Sequence, residues 1–526
     1  MIQPVLPEIV VLDESLSDPA ASWRALGAEV LGVVRDTSGT VDDAADLYGV
    51  DLARDADSLE GDGGASAVVT LLHLRGGGAA PWEGLPGRVV LLGEGDGGAD
   101  DARRAGLALG RAATGRDTVV LVLPPGAGED RLQALAEGFL LASFRMPRTA
   151  REPDGKPPAR RLVLLTRGGA TADALARART GVEATLLTRV LAATPSSTKN
   201  PGWLADQVLE LASAVSAEVP AGTGTLSAQV RDEDWLERHG FGAVLAVGAA
   251  SVTPPRLVTL TWEPAADDAP VVALVGKGIT FDTGGISIKP REAMVPMKTD
   301  MAGAAAVLAA VLGAARLALP VRATAVLPLA ENAVGGAAYR PGDVVRTYDG
   351  TTVEISNTDA EGRMVLADAL AWAVEQLAPD VVVDVATLTG AASQGLGRGH
   401  AALYATDDGL AADLLAAGGR AGEPAWRMPL VADYRPALDS DVADVAHAVR
   451  DPHVGGGSIT AALFLQRFAA DVPWAHLDIA GAGRAGSKQG EVPANGPTGY
   501  GARLLVEYLR AVGSAAHGDE QPVPAR

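Results

Sequence analysis

Two glycine-rich stretches hold most of the side chains in this chain that are suited to ionic chemistry. The first runs Val275-Gly-Lys-Gly-Ile-Thr-Phe-Asp-Thr-Gly-Gly-Ile-Ser-Ile-Lys-Pro290, with Lys298-Thr-Asp300 just beyond, and the second is Ser356-Asn-Thr-Asp-Ala-Glu-Gly-Arg363. Taken singly, a charged glycine-rich loop reads as a solvated turn. The lysines argue for more. Arg and Lys total 44, yet only Lys156, Lys199, Lys277, Lys289, Lys298 and Lys488 are lysines. Three of them fall between positions 277 and 298, where uniform scatter would place roughly 0.25 if basic residues were interchangeable. The region therefore selects an amine, which can shed its proton beside a cation or act as a compact donor where guanidinium cannot. A metal-bound or catalytic lysine meets that requirement.

Carboxylates supply the rest. Lys277 and Asp282 flank a loop leaving a strand over Val271–Val275, Asp300 opens an Ala-rich helix, and Asp359 and Glu361 are two apart. If 359–363 is extended, Asp359, Glu361 and Arg363 project from one side before a helix begins at Leu366. Helix capping by Asp300 and turn formation by Asp359 are the ordinary alternatives. Four carboxylates crowded together, however, cost too much without cations. Two divalent ions about 3.5–4 Å apart, sharing carboxylates, satisfy such a set. Other chemistries find less support. There is no cysteine, which excludes disulfides, thiolate zinc sites and cysteine nucleophiles. The seven histidines form no His-Glu-x-x-His pattern, and His476 reads as a core or interface residue. No Gly-x-Ser-x-Gly elbow or Walker loop is present, and Gly76–Gly78 and Gly97–Gly98 read as loop glycines.

The elements that must position these groups follow an α/β rhythm. Before residue 166, β-branched runs at Glu8–Leu12, Ala67–Leu72, Arg88–Leu92, Thr118–Leu123 and Arg161–Leu165 alternate with helical segments Asp100–Ala113 and Asp130–Ser143. Pro147–Arg160 reads as an exposed loop. A helix over Thr171–Leu191 leads to a turn at Thr194–Gly202. The rhythm then restarts with strands at Arg256–Trp262, Val271–Val275, Val321–Pro328, Val381–Val385 and Ala475–Ile479, separated by helices at Gly303–Arg316, Leu366–Leu377 and Ser458–Phe468. The expected fold is α/β in two domains: a smaller N-terminal domain over 1–170, a connecting helix and linker over 171–199, and a larger catalytic domain over 200–515 with a central mixed sheet flanked by helices. Residues 516–526 are expected to fray. Ligands in such sheets collect beyond the carboxyl ends of the strands.

These motifs resemble the leucyl aminopeptidase, or cytosol aminopeptidase, family of dinuclear metallo-exopeptidases. Asn357-Thr-Asp-Ala-Glu-Gly-Arg363 is similar to its signature heptapeptide. Gly276–Gly285, Asn332 with Tyr339–Asp343, Ala386–Ala391 and Trp474–Gly481 are similar to its other blocks. The resemblance spans most of 250–510 and is weak before residue 200. It implies that Lys277, Asp282, Asp300 and Glu361 hold one cation and Asp282, Asp359 and Glu361 a second, with Asp282 and Glu361 bridging. It further implies Lys289 and Arg363 as the catalytic pair and Asn357, Thr387, Leu388 and Gly390 as substrate-lining residues. Met297 would lie beside the first side-chain pocket. The metals would be Zn²⁺ or Mn²⁺, bicarbonate would sit at Arg363, and the assembly would be a homohexamer acting on peptides with a Leu-like N-terminal residue. Departures are Met364 where Leu is usual, Ala302 where Gly is common, and a missing glycine in Val247–Ser251.

Charge narrows the partners. The net charge of −21 disfavours nucleic acid, which is bound through Lys and Arg neutralising phosphates. Met1–Asp18 shows no basic segment followed by an apolar core, so a secretory signal is not expected and a cytoplasmic location is. The apolar runs Gly240–Pro255 and Met301–Ala315 fall short of the roughly 20 residues a bilayer requires, and the second reads as a buried helix, so no membrane association is expected. A two-metal phosphoesterase would want more phosphate-holding cations than Lys289 and Arg363, and a catalytically silent structural hexamer would not need the full ligand set.

Overall fold

The computed structural model describes residues 6–13, 25–35, 69–73, 86, 88–93, 95–123, 128–146, 155–166, 172–451 and 453–516. The frayed terminus expected over 516–526, apart from its first residue, lies outside these, as do Gly76–Gly78 and most of the loop before Gly155. The chain divides into two compact units at Val182/Glu183, within the helix Ala172–Ala193.

In the N-terminal unit, strands β1 (Glu8–Asp13), β2 (Val30–Arg35), β3 (Val69–His73), β4 (Arg88–Gly93), β5 (Thr118–Val122) and β6 (Arg161–Thr166) form one sheet in the order β1-β6-β5-β2-β4-β3. Every pairing is parallel except β3 with β4. Strand β2 was not expected from the sequence, where Gly32 interrupts its apolar run. A Cβ at Gly32 would meet Leu121 Cδ1 at 2.8 Å, so the glycine allows close packing. Helices Ala99–Ala112 and Glu129–Ala142 cross each other closely, because a Cβ at Gly138 would lie 1.9 Å from the Arg103 carbonyl oxygen.

The C-terminal unit is built on a nine-stranded mixed sheet. Its strands are β7 (Gly224–Arg231), β8 (Arg256–Pro264), β9 (Val271–Gly276), β10 (Gly278–Asp282), β11 (Arg322–Asn332), β14 (Val381–Ala386), β15 (Ala401–Ala405), β16 (Ala425–Arg427) and β18 (Trp474–Asp478). The order is β16-β15-β18-β14-β9-β11-β8-β7, with β10 paired to β11. A small three-stranded sheet joins β12 (Val344–Arg346), β13 (Thr352–Glu354) and β17 (Val445–Ala446). In the large sheet β9, β10, β11, β14 and β18 run parallel, so their carboxyl ends share one edge of the unit. The apolar helix Ala302–Arg316 is buried along its length up to Ala315 and lies on this sheet, as its composition predicts. Small residues let it approach: a Cβ at Gly303 would sit 2.0 Å from the Val385 carbonyl oxygen, and one at Gly276 would sit 2.5 Å from Ala304 Cα. Close approach presses the start of this helix, and Asp300 just before it, against the ends of β9 and β14.

Candidate active site and metal centre

The five parallel strands deliver the site. Lys277 follows β9, Asp282 ends β10, Asn332 ends β11, Thr387 and Leu388 follow β14, and Asp478 ends β18. Asp300 arrives from the segment before the Ala-rich helix, and Glu361 is the first residue of the helix Glu361–Leu377. The two glycine-rich stretches are then stitched together. Asn332 Nδ2 donates to Asp282 Oδ1 at 2.8 Å and to the Thr358 carbonyl at 3.0 Å, and Tyr339 adds a 3.0 Å bond to the same carbonyl. Thr358 Oγ1 donates to the Gly284 carbonyl at 2.7 Å and accepts from the Ser287 amide at 2.8 Å. Gly284 has φ +87°, and a Cβ there would lie 2.8 Å from Asp359 Oδ1. Glycine at 284 thus serves both the left-handed turn and the approach of Asp359.

Lys277, Asp282, Asp300 and Glu361 are 3%, 2%, 4% and 1% exposed, so their charges must be satisfied within the protein. Lys277 Nζ lies 2.7 Å from Asp300 Oδ2 and 2.8 Å from Glu361 Oε1, and donates to the Thr387 carbonyl at 3.1 Å. Lys289 Nζ lies 2.7 Å from Asp282 Oδ2 and also contacts Asp359 Oδ1. Asp300 Oδ1 accepts from Thr387 Oγ1 at 2.7 Å and makes no side-chain cap, which disposes of the capping alternative. Burial opposes charge on Lys277 and Lys289, but the surrounding carboxylates outweigh it and hold both amines above the ordinary lysine value. Burial raises Asp282, Asp300, Asp359 and Glu361, with mutual repulsion adding to it.

One ligand oxygen from each of Asp282, Asp359 and Glu361 lies within 4.8 Å of the others. At an effective dielectric of about 20, each such like-charge pair costs roughly 3 kcal/mol, so three charged carboxylates repel by on the order of 10 kcal/mol. Lys277 and Lys289 offset much of this repulsion but supply only two positive charges against four carboxylates.

The extended reading of 359–363 is overturned. Helix formation begins at Glu361, so Arg363 lies in the first helical turn rather than alternating with Asp359. Its Nη1 donates to the His447 carbonyl at 2.8 Å. Burial brings its pKa down to about 10, against the pull of Glu361 and Asp478. A cavity of about 470 Å³ opens over the cluster, lined by Lys277, Asp282, Lys289, Asp300, Asp359 and Glu361 together with Met297, Thr387, Leu388 and Gly390. Arg363 and Asn357 are not among its lining residues. Asn357 Oδ1 instead accepts from the Asp359 amide at 2.9 Å. Lys298 also stays out of the cluster, offering only its carbonyl, to Lys199 Nζ at 2.5 Å.

Residues 186–506 match the family described as cytosol aminopeptidase family, catalytic domain. The chain belongs to the cytosol aminopeptidase family. This aminopeptidase is 41% identical over 514 residues to the probable cytosol aminopeptidase of Leifsonia xyli subsp. xyli, covering 95% of this chain and 98% of the relative. With that of Nocardia farcinica it shares 39% over 523 residues, covering 95% and 99%. Among solved structures it is similar to the bottromycin maturation enzyme BotP in complex with Mn, at 39% identity and TM-score 0.77, covering 92% of this chain and 100% of that one. It is also similar to a K354E mutant of tomato leucine aminopeptidase, at 29% identity and TM-score 0.80, covering 96% of each chain. The enzyme is a metal-dependent aminopeptidase, a hydrolase.

The aminopeptidase's own residues fit a divalent metal. Four carboxylates face two ammonium groups, which leaves excess negative charge, and Glu361 Oε2 is buried with no hydrogen-bond partner among the described residues. Carboxylate oxygens with an amine nitrogen suit Mn²⁺ or Zn²⁺. Two organising residues carried no local signal. Asp478 accepts from the amides of Leu388 (3.1 Å), Thr389 (3.0 Å) and Ala480 (3.1 Å) and from Thr389 Oγ1 (2.6 Å), and so shapes the 387–390 loop. His447 Nε2 lies 2.8 Å from the Asn357 carbonyl, and its Nδ1 lies 3.2 Å from the Glu354 carbonyl and 3.3 Å from the Ser356 amide, so the ring ties together the backbone on both sides of Ser356. His476 is a core residue: its Nδ1 lies 2.5 Å from Asp384 Oδ1, and its ring stacks on Trp474 and Tyr404.

Proposed function

We propose that the site removes the N-terminal residue, Leu-like by preference, from peptides with the help of two divalent ions. The observation that carries this reading is the cluster of five conjoined ligands: Lys277, Asp300 and Glu361 converge on one side, and Asp282, Asp359 and Glu361 bring oxygens within 4.8 Å on the other. Glu361 belongs to both groups, and it would be shared together with Asp282, as the family likeness implies. When bound, such a pair acidifies a common water and accepts the peptide's α-amine, which is why only a terminal residue would be cleaved. Lys289, with its Nζ directed into the cavity beside Asp282 and Asp359, would polarise the scissile carbonyl and stabilise the tetrahedral oxyanion. Arg363 would hold bicarbonate as the proton carrier, since guanidinium itself cannot act as base. Its buried Nε, which has no hydrogen-bond partner among the described residues, supports an anion there. Met297, Thr387, Leu388 and Gly390 would receive the first side chain, and Asn357 would set the turn that presents Asp359. The two-domain partition over 1–170, 171–199 and 200–515, a cytosolic location, as the relatives' titles have it, and a homohexamer complete the reading; the hexamer rests on family likeness alone. Hydrolysis of leucine p-nitroanilide by protein reconstituted with Mn²⁺ or Zn²⁺, and none after chelation, tests it. Turnover unaffected by chelation would refute it.

A further inference from the structure

The cavity carries charged side chains beyond those already described. Besides the metal-ligand cluster it is lined by Arg398 and Arg484. In a chain with 65 acidic and 44 basic side chains, an inward-facing arginine readily finds a carboxylate, as Arg103 does with Glu137 and Arg503 with Glu423. Arg398 and Arg484 have no ion pair among the described residues. Arg398 is held in place by neutral oxygens, its Nη1 donating to the Ala485 carbonyl at 3.1 Å and to Asn495 Oδ1 at 2.7 Å. Asn495 adopts φ +60°, and its backbone amide donates to the Ala485 carbonyl at 2.8 Å, which ties the two acceptors of Arg398 to each other. Among the described residues Arg484 has only a long 3.5 Å contact from Nη2 to the Ala480 carbonyl, and its buried Nε has no hydrogen-bond partner. Burial, with repulsion from Arg398, depresses the Arg484 pKa, while Asp300 pulls it back up. Both guanidinium groups line the cavity, one fixed and one largely unsatisfied, and each carries the planar donor fork that a carboxylate matches bidentately.

We propose that Arg398 and Arg484 form a carboxylate-recognition subsite within the aminopeptidase cavity, so that the enzyme prefers substrates bearing a second negative group. This inference rests on the aminopeptidase reading above. The carboxylate comes either from an acidic N-terminal side chain or from the free C-terminus of a dipeptide. Both arginines are specificity-determining: each contributes to binding the substrate and takes no part in the bond-breaking step.

The experiment uses the full Mn²⁺-loaded chain with two isosteric pairs, Glu- against Gln-p-nitroanilide and Leu-Gly against Leu-Gly-amide. At least one pair should favour its charged member by about tenfold or more in kcat/KM, mainly through KM. Preference in the first pair identifies the side chain as the source, and in the second the C-terminus. Arg484→Gln and Arg398→Gln should each reduce that preference severalfold, with Arg484→Lys retaining part of it. Ratios near one in both pairs, with neutral substrates still hydrolysed, would overturn the subsite and leave the aminopeptidase reading standing. If no substrate is turned over, that reading fails, and calorimetric titration with glutamate against glutamine, and with Leu-Gly against its amide, still decides the subsite: equal affinity within both pairs overturns it.

Discussion

Gly362 follows Glu361, the proposed shared ligand, and its missing side chain is what gives Lys277 room. A Cβ at 362 would lie 2.5 Å from Lys277 Cε and 2.7 Å from its Nζ. Ordinary contact begins at about 3.4 Å, so Gly362→Ala must drive the amine roughly 0.7 Å away from the helix, allowing for the packing density of protein interiors. The amine has little freedom to yield, because it is 2.7 Å from Asp300, 2.8 Å from Glu361 and bonded to the Thr387 carbonyl. Overpacking of this kind costs about 1–3 kcal/mol in fold stability. The effect on the metal centre should be larger, because a displaced ligand typically lowers metal affinity about 10–100-fold. Calorimetric titration of metal-stripped protein with Mn²⁺ reads the affinity directly, and denaturant unfolding of the same samples reads the stability. The reasoning predicts one weakened binding event and one little changed, since Lys277 belongs to only one of the two ligand groups. Unchanged affinity for both, with stability lowered as expected, would show that Lys277 Nζ is not a ligand.

Two further outcomes follow from buried groups around the site. His447 is held neutral, its pKa pushed down to about 4 first by burial and then by Arg363. The stability it supplies is therefore present above pH 6.5 and lost as pH falls toward 4, where the unfolded chain takes a proton that the native state refuses; the full swing is about 3 kcal/mol. Urea midpoints for wild type and His447→Gln between pH 7.5 and 4.5 check this, and the variant should show the smaller acid loss. For Asp478→Asn, the new amide group must face two of the four donors that now point at the carboxylate. A loss of roughly 3 kcal/mol and a rise in KM exceeding the fall in kcat are expected from unfolding curves and steady-state rates.

Much of the site was legible because its chemistry is local to two stretches. The scarcity of lysine singled out Lys277 and Lys289, and both meet the carboxylates. The same signal overreached at Lys298, which only offers a carbonyl, and overlooked Lys199, whose buried Nζ donates to the Leu191 and Ala192 carbonyls at the end of a helix. Lysine thus serves there in a second way, by satisfying buried backbone carbonyls. The alternation rule failed at Arg363 because Glu361 already starts a helix, and the segment's polar residues gave no periodic signal to mark that start. Strands with continuous β-branched runs, such as β9 and β14, were plain, whereas β2 and the short β10 are interrupted or flanked by glycine. Asp478, Arg398 and Arg484 could not be placed beforehand, because only the parallel order of β9, β14 and β18 brings positions so far apart in the chain to one edge.

The account rests on two cations sharing Asp282 and Glu361, and counting them tests it most directly. Elemental analysis of Mn²⁺-reconstituted, gel-filtered protein should give two equivalents per chain in the wild type and one in Asp359→Asn, because Asp359 serves only one of the two ligand groups. One equivalent or fewer in the wild type, or two retained in Asp359→Asn, would contradict it.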